Sequence, residues 1–190
     1  MSTLRCTQKL IKALGKSAEK LFSANPDNND TSILRSWNAH LVIFSRLRFV
    51  LFVNEKTLQT VFIHLKPKEN LLPRFQQALF KELLRLKIPV DKATEEALKF
   101  QNFTLEENTD KSMASYMNQM AFEYKFLLAA HIEERKTFEI GHAQELVNRT
   151  PRIKREHVFP DDYVRELLGV ARIQRSFRTR DIETPEKTAQ

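Results

Sequence analysis

Residues 36–64, SWNAHLVIFSRLRFVLFVNEKTLQTVFIH, constrain the fold more than any other part of the chain. Apolar runs at residues 39–44 and 49–53 flank a polar interruption at residues 45–48, and a third run, residues 58–64, follows Asn54, Glu55, Lys56 and Thr57. Short runs rich in β-branched and aromatic residues, parted by polar breaks, predict three consecutive strands. Side chains alternate along a strand, so Trp37, Ala39, Leu41 and Ile43 share one face, and Asn38, His40, Val42 and Phe44 share the other. The second run is apolar on both faces, which predicts an interior strand covered by helices on at least one side. A hairpin is expected near Arg46 and Leu47.

Helical spacing surrounds this core. Leu10, Ile11 and Leu14 predict a helix over residues 8–14, with Thr7 as N-cap and Gly15 at its end. Leu72, Phe75, Leu79, Leu83 and Leu86 predict an amphipathic helix over residues 70–87, stopped by Pro89. Asp91 is read as the N-cap of a shorter helix reaching Phe100, and residues 102–106 as the remaining strand. Met113, Met117, Met120, Tyr124 and Leu127 recur at helical spacing, which predicts a long helix over residues 112–134 lying across the sheet. Residues 142–148 and 161–168 read as short helices, the second capped by Asp161 and ended by Gly169.

The expected architecture is α+β: a predominantly antiparallel four- or five-stranded sheet with helices packed mainly on one face, followed by a basic helical extension. The expected divisions are an α+β domain over residues 1–140, the extension over 141–175 and a disordered tail over 176–190.

Composition narrows the function classes. The three glycines, Gly15, Gly141 and Gly169, are too far apart to build a glycine-rich phosphate loop. The lone cysteine, Cys6, can neither close an internal disulfide nor supply a CxxC pair, which fits a reducing compartment. No window has the length and apolarity of a membrane span or a secretory signal, so a cytoplasmic chain with no membrane partner is expected. No cofactor and no metal site are expected. The five histidines form no HxxxH or HExxH pair.

The net charge is +7 and is concentrated late in the chain: residues 148–180 hold nine basic and four acidic residues. Arg149, Arg152, Lys154, Arg155, Arg172, Arg175 and Arg178 therefore form one candidate surface, suited to nucleic acid or to an acidic protein surface. The same extension offers a seam for pairing two copies of the chain.

Four blocks carry a resemblance: Arg5-Cys6-Thr7-Gln8-Lys9-Leu10, Trp37-Asn38-Ala39-His40-Leu41, residues 51–57 (LFVNEKT), and Lys111-Ser112-Met113 through Met117-Asn118. In order and separation, residues 3–130 resemble an uncharacterised bacterial family, a domain of unknown function with RCTKKL, WHANL, LFTNExT and NRSxxxxMN blocks. Here the WHAN histidine and asparagine exchange places, as Asn38 and His40, and Asp110-Lys111 stands where Asn-Arg is usual. The resemblance implies no activity, and both exchanges fall on polar positions.

A second candidate site follows from these blocks. Trp37, His40, Asn54, Glu55, Thr57, Ser112 and Asn118 are read as lining a polar pocket at one sheet edge, near a helix N-terminus that favours anions. The same residue types also make turns, caps and local backbone bonds. Two functional readings stand: a non-enzymatic binding or regulatory protein acting through the basic extension, or an enzyme or small-ligand protein acting through the polar pocket.

Overall fold

The computed structural model describes residues 2–15, 32–100, 104–133, 138–152 and 158–172. Lys154, Arg155, Arg175, Arg178 and the tail over 176–190 lie outside the described residues. Five strands are present: β1 Thr3–Cys6, β2 Ser36–Phe44, β3 Leu47–Asn54, β4 Thr60–His64 and β5 Thr104–Glu107. The described helices are α1 Gln8–Leu14, α2 Leu71–Arg85, α3 Val90–Leu98, α4 Lys111–Glu133, α5 Ile140–Asn148 and α6 Pro160–Leu167.

The sheet order is β4-β3-β2-β1-β5. The three strands of the opening stretch form an antiparallel meander, with Ala39 opposite Phe52 and Phe52 opposite Val61. The turn between β2 and β3 falls on Ser45-Arg46, and Ser45 takes a positive φ of 54°. The sheet is mixed, not predominantly antiparallel, because β1 runs parallel to both neighbours, Cys6 aligning with Ala39 on one side and Glu107 on the other. The first strand is seated between β2 and β5, and parallel neighbours require crossover connections, which here carry α1 on one side and α2 with α3 on the other.

Helices cover both faces, where they were expected mainly on one. On one face Leu4, Cys6, Trp37, Ala39, Val50, Phe52, Val61 and Ile63 pack against α1, α2, α3 and the Val164–Leu168 end of α6. On the other, Phe49, Leu51, Val53 and Phe62 pack under Met113, Met117, Met120, Tyr124 and Leu128 of α4 and Ala143 and Val147 of α5. The cause is the two-sided apolarity of β3, whose residues from Phe49 to Asn54 are all buried. A fully buried Leu or Phe contributes about 1.5–3 kcal/mol, so neither face of β3 can be left in water.

Two expected caps are placed differently. Pro89 is the N-cap of α3, and Asp91 lies within its first turn, where a negative charge suits the helix dipole. Asp161 does not cap α6; it is fully buried and pairs with Arg85 of α2 at 2.9 Å.

Strand β4 is a sheet edge whose backbone is occupied by side chains of α5. The Asn148 Oδ1 accepts from Thr60 N at 2.8 Å, its Nδ2 donates to Thr60 O at 3.1 Å, and Gln144 Oε1 accepts from Phe62 N at 2.9 Å. Asn148 and Gln144 are one helical turn apart, so the helix presents amides at the places where a neighbouring strand would supply backbone groups.

Candidate functional site

The seven residues of the expected polar pocket separate into four groups. Asn54 and Thr57 form a closed knot. Asn54 Nδ2 donates to Leu34 O and Ser36 O, both at 3.2 Å, while its Oδ1 accepts from Lys56 N, Thr57 N and Thr57 Oγ1. The Thr57 hydroxyl also accepts from Gln59 N at 3.1 Å. This knot shapes the β3–β4 connection. Trp37 is the register partner of Asn54 but is turned into the core, fully buried, with its ring edge-to-face against Phe75 and Phe100 at 5.1 and 6.2 Å. Ser112 and Asn118 are exposed on α4, whose N-terminus is capped by Asp110 Oδ1 accepting from Ser112 N and Met113 N. Only Glu55 and His40 border a shared polar surface.

That surface is built from three adjacent strands. Arg5 aligns with Asn38 on β2 and with Glu106 on β5. The ladder continues past the ends of the strands, where Thr7 N donates to Ala39 O at 3.0 Å and Asn108 N to Cys6 O at 3.0 Å. Two polar rows therefore cross β5, β1 and β2 on the α4 face of the sheet: Glu106, Arg5 and Asn38, then Asn108, Thr7 and His40. Arg5 pairs through Nη1 with Glu55 and through Nε with Glu106 at 3.0 Å. Glu55 also borders a cleft of about 520 Å³ formed with residues 32–36, Asn54 and Lys56.

The two rows hold polar atoms that the fold does not use. Asn38 is 1% exposed, yet its Oδ1 has no hydrogen-bond partner among the described residues. The same holds for His40 Nδ1, Thr7 Oγ1 and Asn108 Nδ2. Thr7 occupies the N-cap position of α1, but its hydroxyl makes no capping bond. Burial, with Lys9 and Lys125 adding repulsion, holds the His40 imidazole below its ordinary pKa, so the ring is neutral at physiological pH. A buried polar atom left unpaired costs about 1–3 kcal/mol. Such atoms gather where a fold serves something besides its own stability.

The neighbouring thiol is not part of this chemistry. Cys6 faces the opposite core, and burial pushes its pKa up to about 12, so it stays a thiol. Among the described residues, no group of three His, Cys, Asp or Glu side chains is placed to hold a metal ion.

The described arginines of the basic extension are engaged within the chain. Arg152 is buried and makes a two-pronged pair with Glu123 at 2.6 and 2.7 Å, and it also donates to Val147 O. Arg149 pairs with Glu145 at 2.8 Å, and Arg172 with Glu166 at 2.5 Å. A planar guanidinium held by both carboxylate oxygens is a rigid internal strut, unlike the mobile cations that track a phosphate backbone.

The site residues expected from the sequence do not include Arg5, Thr7, Asn38, Glu106 or Asn108. The available signal was period-two spacing. Thr7 follows the end of β1 two residues after Arg5, and Asn38 and His40 share the face of β2 opposite Trp37 and Ala39. What brings them together is the parallel pairing of β1 with two strands distant in the chain.

A family model described as a domain of unknown function (DUF6933) matches residues 3–163, a span that takes in α5 and the first turn of α6 as well as the sheet. No curated protein and no solved structure matches the chain.

Proposed function

The chain belongs to this family of unknown function, DUF6933, and we propose that it is a binding protein whose ligand docks on the polar rows across β5, β1 and β2. The carrying observation is the buried Asn38 carboxamide with its unpaired Oδ1 beside the unpaired His40 Nδ1. The Asn38 oxygen calls for a hydrogen-bond donor from the ligand. At the His40 end, Lys9 and Lys125 are near enough to depress the imidazole, and their charges attract an anionic group. The fitting ligand is a small polar metabolite with a phosphate or carboxylate at the lysine end and an N–H or O–H donor at the Asn38 end. Arg5, held by Glu55 and Glu106, is the fixed wall between the rows and the adjoining cleft.

The reading through the basic extension draws less support, because Arg149, Arg152 and Arg172 are each paired with a carboxylate of the same chain. A thermal-shift series with nucleoside monophosphates, sugar phosphates and amino acids tests the proposal, run on the full chain and on an Asn38→Ala/His40→Ala variant checked for folding by circular dichroism. At least one compound class is expected to raise the melting temperature of the parent saturably, by several degrees, and to leave the variant unmoved. A parent that no compound stabilises, or equal shifts in parent and variant, would overturn it.

A further inference from the structure

The amides that α5 lays along the β4 edge stop one rung short of the end of the strand. Alternate residues of β4 and its flanks turn their backbone groups toward β3: Gln59 O accepts from Asn54 N at 2.8 Å and Leu65 N donates to Arg48 O at 2.9 Å. Thr60, Phe62 and His64 therefore turn theirs outward. Asn148 meets both groups of Thr60 and Gln144 meets Phe62 N, while Arg74 Nη2 donates to His64 O at 2.6 Å. Between these contacts, Phe62 O and His64 N take no hydrogen bond from the described residues. The next rung along α5, one turn before Gln144, falls on Ile140 and Gly141, which carry no side-chain amide. Ile140 packs against the core under α4, and a Cβ at Gly141 would meet nothing within 4 Å.

This rung opens on a cleft of about 480 Å³ between α2, the β4 edge and α5, at the opposite edge of the sheet from the polar rows. One wall is Glu82, which is 3% exposed. It accepts from Gln59 Nε2 at 2.6 Å, Gln144 Nε2 at 2.8 Å, Asn148 Nδ2 at 2.7 Å and Arg85 Nη2 at 2.7 Å, and Asp161 of α6 shares that guanidinium at 2.9 Å. Glu145, the other carboxylate of the cleft, is paired with Arg149 at 2.8 Å. The cations are less evenly matched. Arg74 directs its Nη1 and Nη2 to the carbonyls of Pro67 and His64, and among the described residues no carboxylate pairs with it or with Lys81. Unmatched positive charge beside an unpaired backbone N–H favours an anionic group.

We propose that this cleft captures the C-terminal residue of an extended polypeptide partner. A residue lying alongside Ile63 in the parallel sense donates its N–H to Phe62 O and accepts from His64 N, which uses both unpaired groups at once. When that residue is the last of its chain, the accepting group is a carboxylate. One oxygen takes the His64 N–H, and the other faces the donors that Arg74 has left, a charge-assisted contact. Neighbours across a ladder share a face, so the captured side chain falls with Ile63 on the α2 face, near Ala78, and a small apolar residue suits it. The preceding residue cannot follow the strand, because Gln144 holds Phe62 N. It leaves through the mouth of the cleft, where Lys81 matches an acidic side chain. None of this depends on the ligand proposed for the polar rows.

The test titrates the ¹⁵N-labelled full chain with acetyl-Glu-Ala-Val-Ala and acetyl-Glu-Ala-Val-Val, following backbone amide resonances. The same peptides as C-terminal carboxamides, and N-acetylalanine, are the comparisons. The free-acid peptides are expected to move the His64 N–H saturably, and to move it more than the Thr60 and Phe62 amides already bonded to α5. The carboxamides are expected to bind at least about tenfold more weakly, having lost the charge that Arg74 meets. Gly141→Gln places an amide on the third rung at an exposed helical position. It is expected to keep or raise the urea midpoint, since glycine is the poorer helix former, and to abolish the His64 response. A His64 resonance that none of the peptides moves would overturn the proposal, as would equal affinity for acid and carboxamide or an undiminished response in folded Gly141→Gln. N-acetylalanine binding as tightly as the tetrapeptides would also overturn it, by making the cleft a site for a small acylated amino acid.

Discussion

Two asparagines on adjacent strands are used in opposite ways. Asn54 satisfies both ends of its amide through five contacts that join β3, the chain entering β2 and the following turn. Asn38, equally buried, leaves its oxygen unpaired. The first kind of residue holds a fold together, and the second costs the fold free energy. Replacing Asn54 with Ala strands Leu34 O and Thr57 N in a buried turn and is expected to lower stability by about 3 kcal/mol, read as a fall in urea midpoint at unchanged slope. A loss below about 0.5 kcal/mol would show that the turn holds without the knot.

Among the elements, α5 is the one whose role is least visible from composition. Its nine residues bury Ala143 and Val147 against the sheet and Gln144 and Asn148 along the β4 edge. The double variant Gln144→Leu/Asn148→Leu keeps the bulk of both side chains but leaves Thr60 N and Phe62 N unpaired and Glu82 without two of its donors. It is expected to lose about 3–5 kcal/mol and to scatter light at protein concentrations where the parent does not, because an open edge recruits further strands. A variant that stays monodisperse and as stable as the parent would mean that the amides are incidental to the edge.

The same scale explains what could be read from the residues alone. Period-two alternation made β2, β3 and β4 legible, and period-3.6 spacing made α2 and α4 legible to within a residue or two of their ends. The parallel placement of β1 was not legible. Strand pairing between Thr3–Cys6 and Thr104–Glu107 is fixed by contacts a hundred residues apart, and neither strand is long enough to declare its partners. The polar rows depend on that pairing, so Arg5 and Glu106 could not be joined to Asn38 and His40 from spacing. Asp161 looked like a cap because it follows a proline at a helix start; only the shared Arg85 reveals a tertiary role.

Across the whole molecule, two buried polar regions are used differently. The cluster around Glu82 ties α2, α5 and α6 to the β4 end of the sheet through the donors that converge on Glu82, whereas the rows on β5, β1 and β2 leave four buried polar atoms unused. On this account the first region is stability and the second is held open for a ligand at the expense of stability, as binding sites are. The two regions should therefore respond to apolar substitution with opposite sign. The decisive measurement is the urea midpoint of Asn38→Leu, made on the full chain without any ligand. If Asn38 is kept for binding, removing its unpaired Oδ1 raises the midpoint, by an amount equivalent to about 1 kcal/mol or more. A midpoint that falls as far as that of Asn54→Ala would show that Asn38 serves the fold, and would contradict the assignment of this face as the binding site.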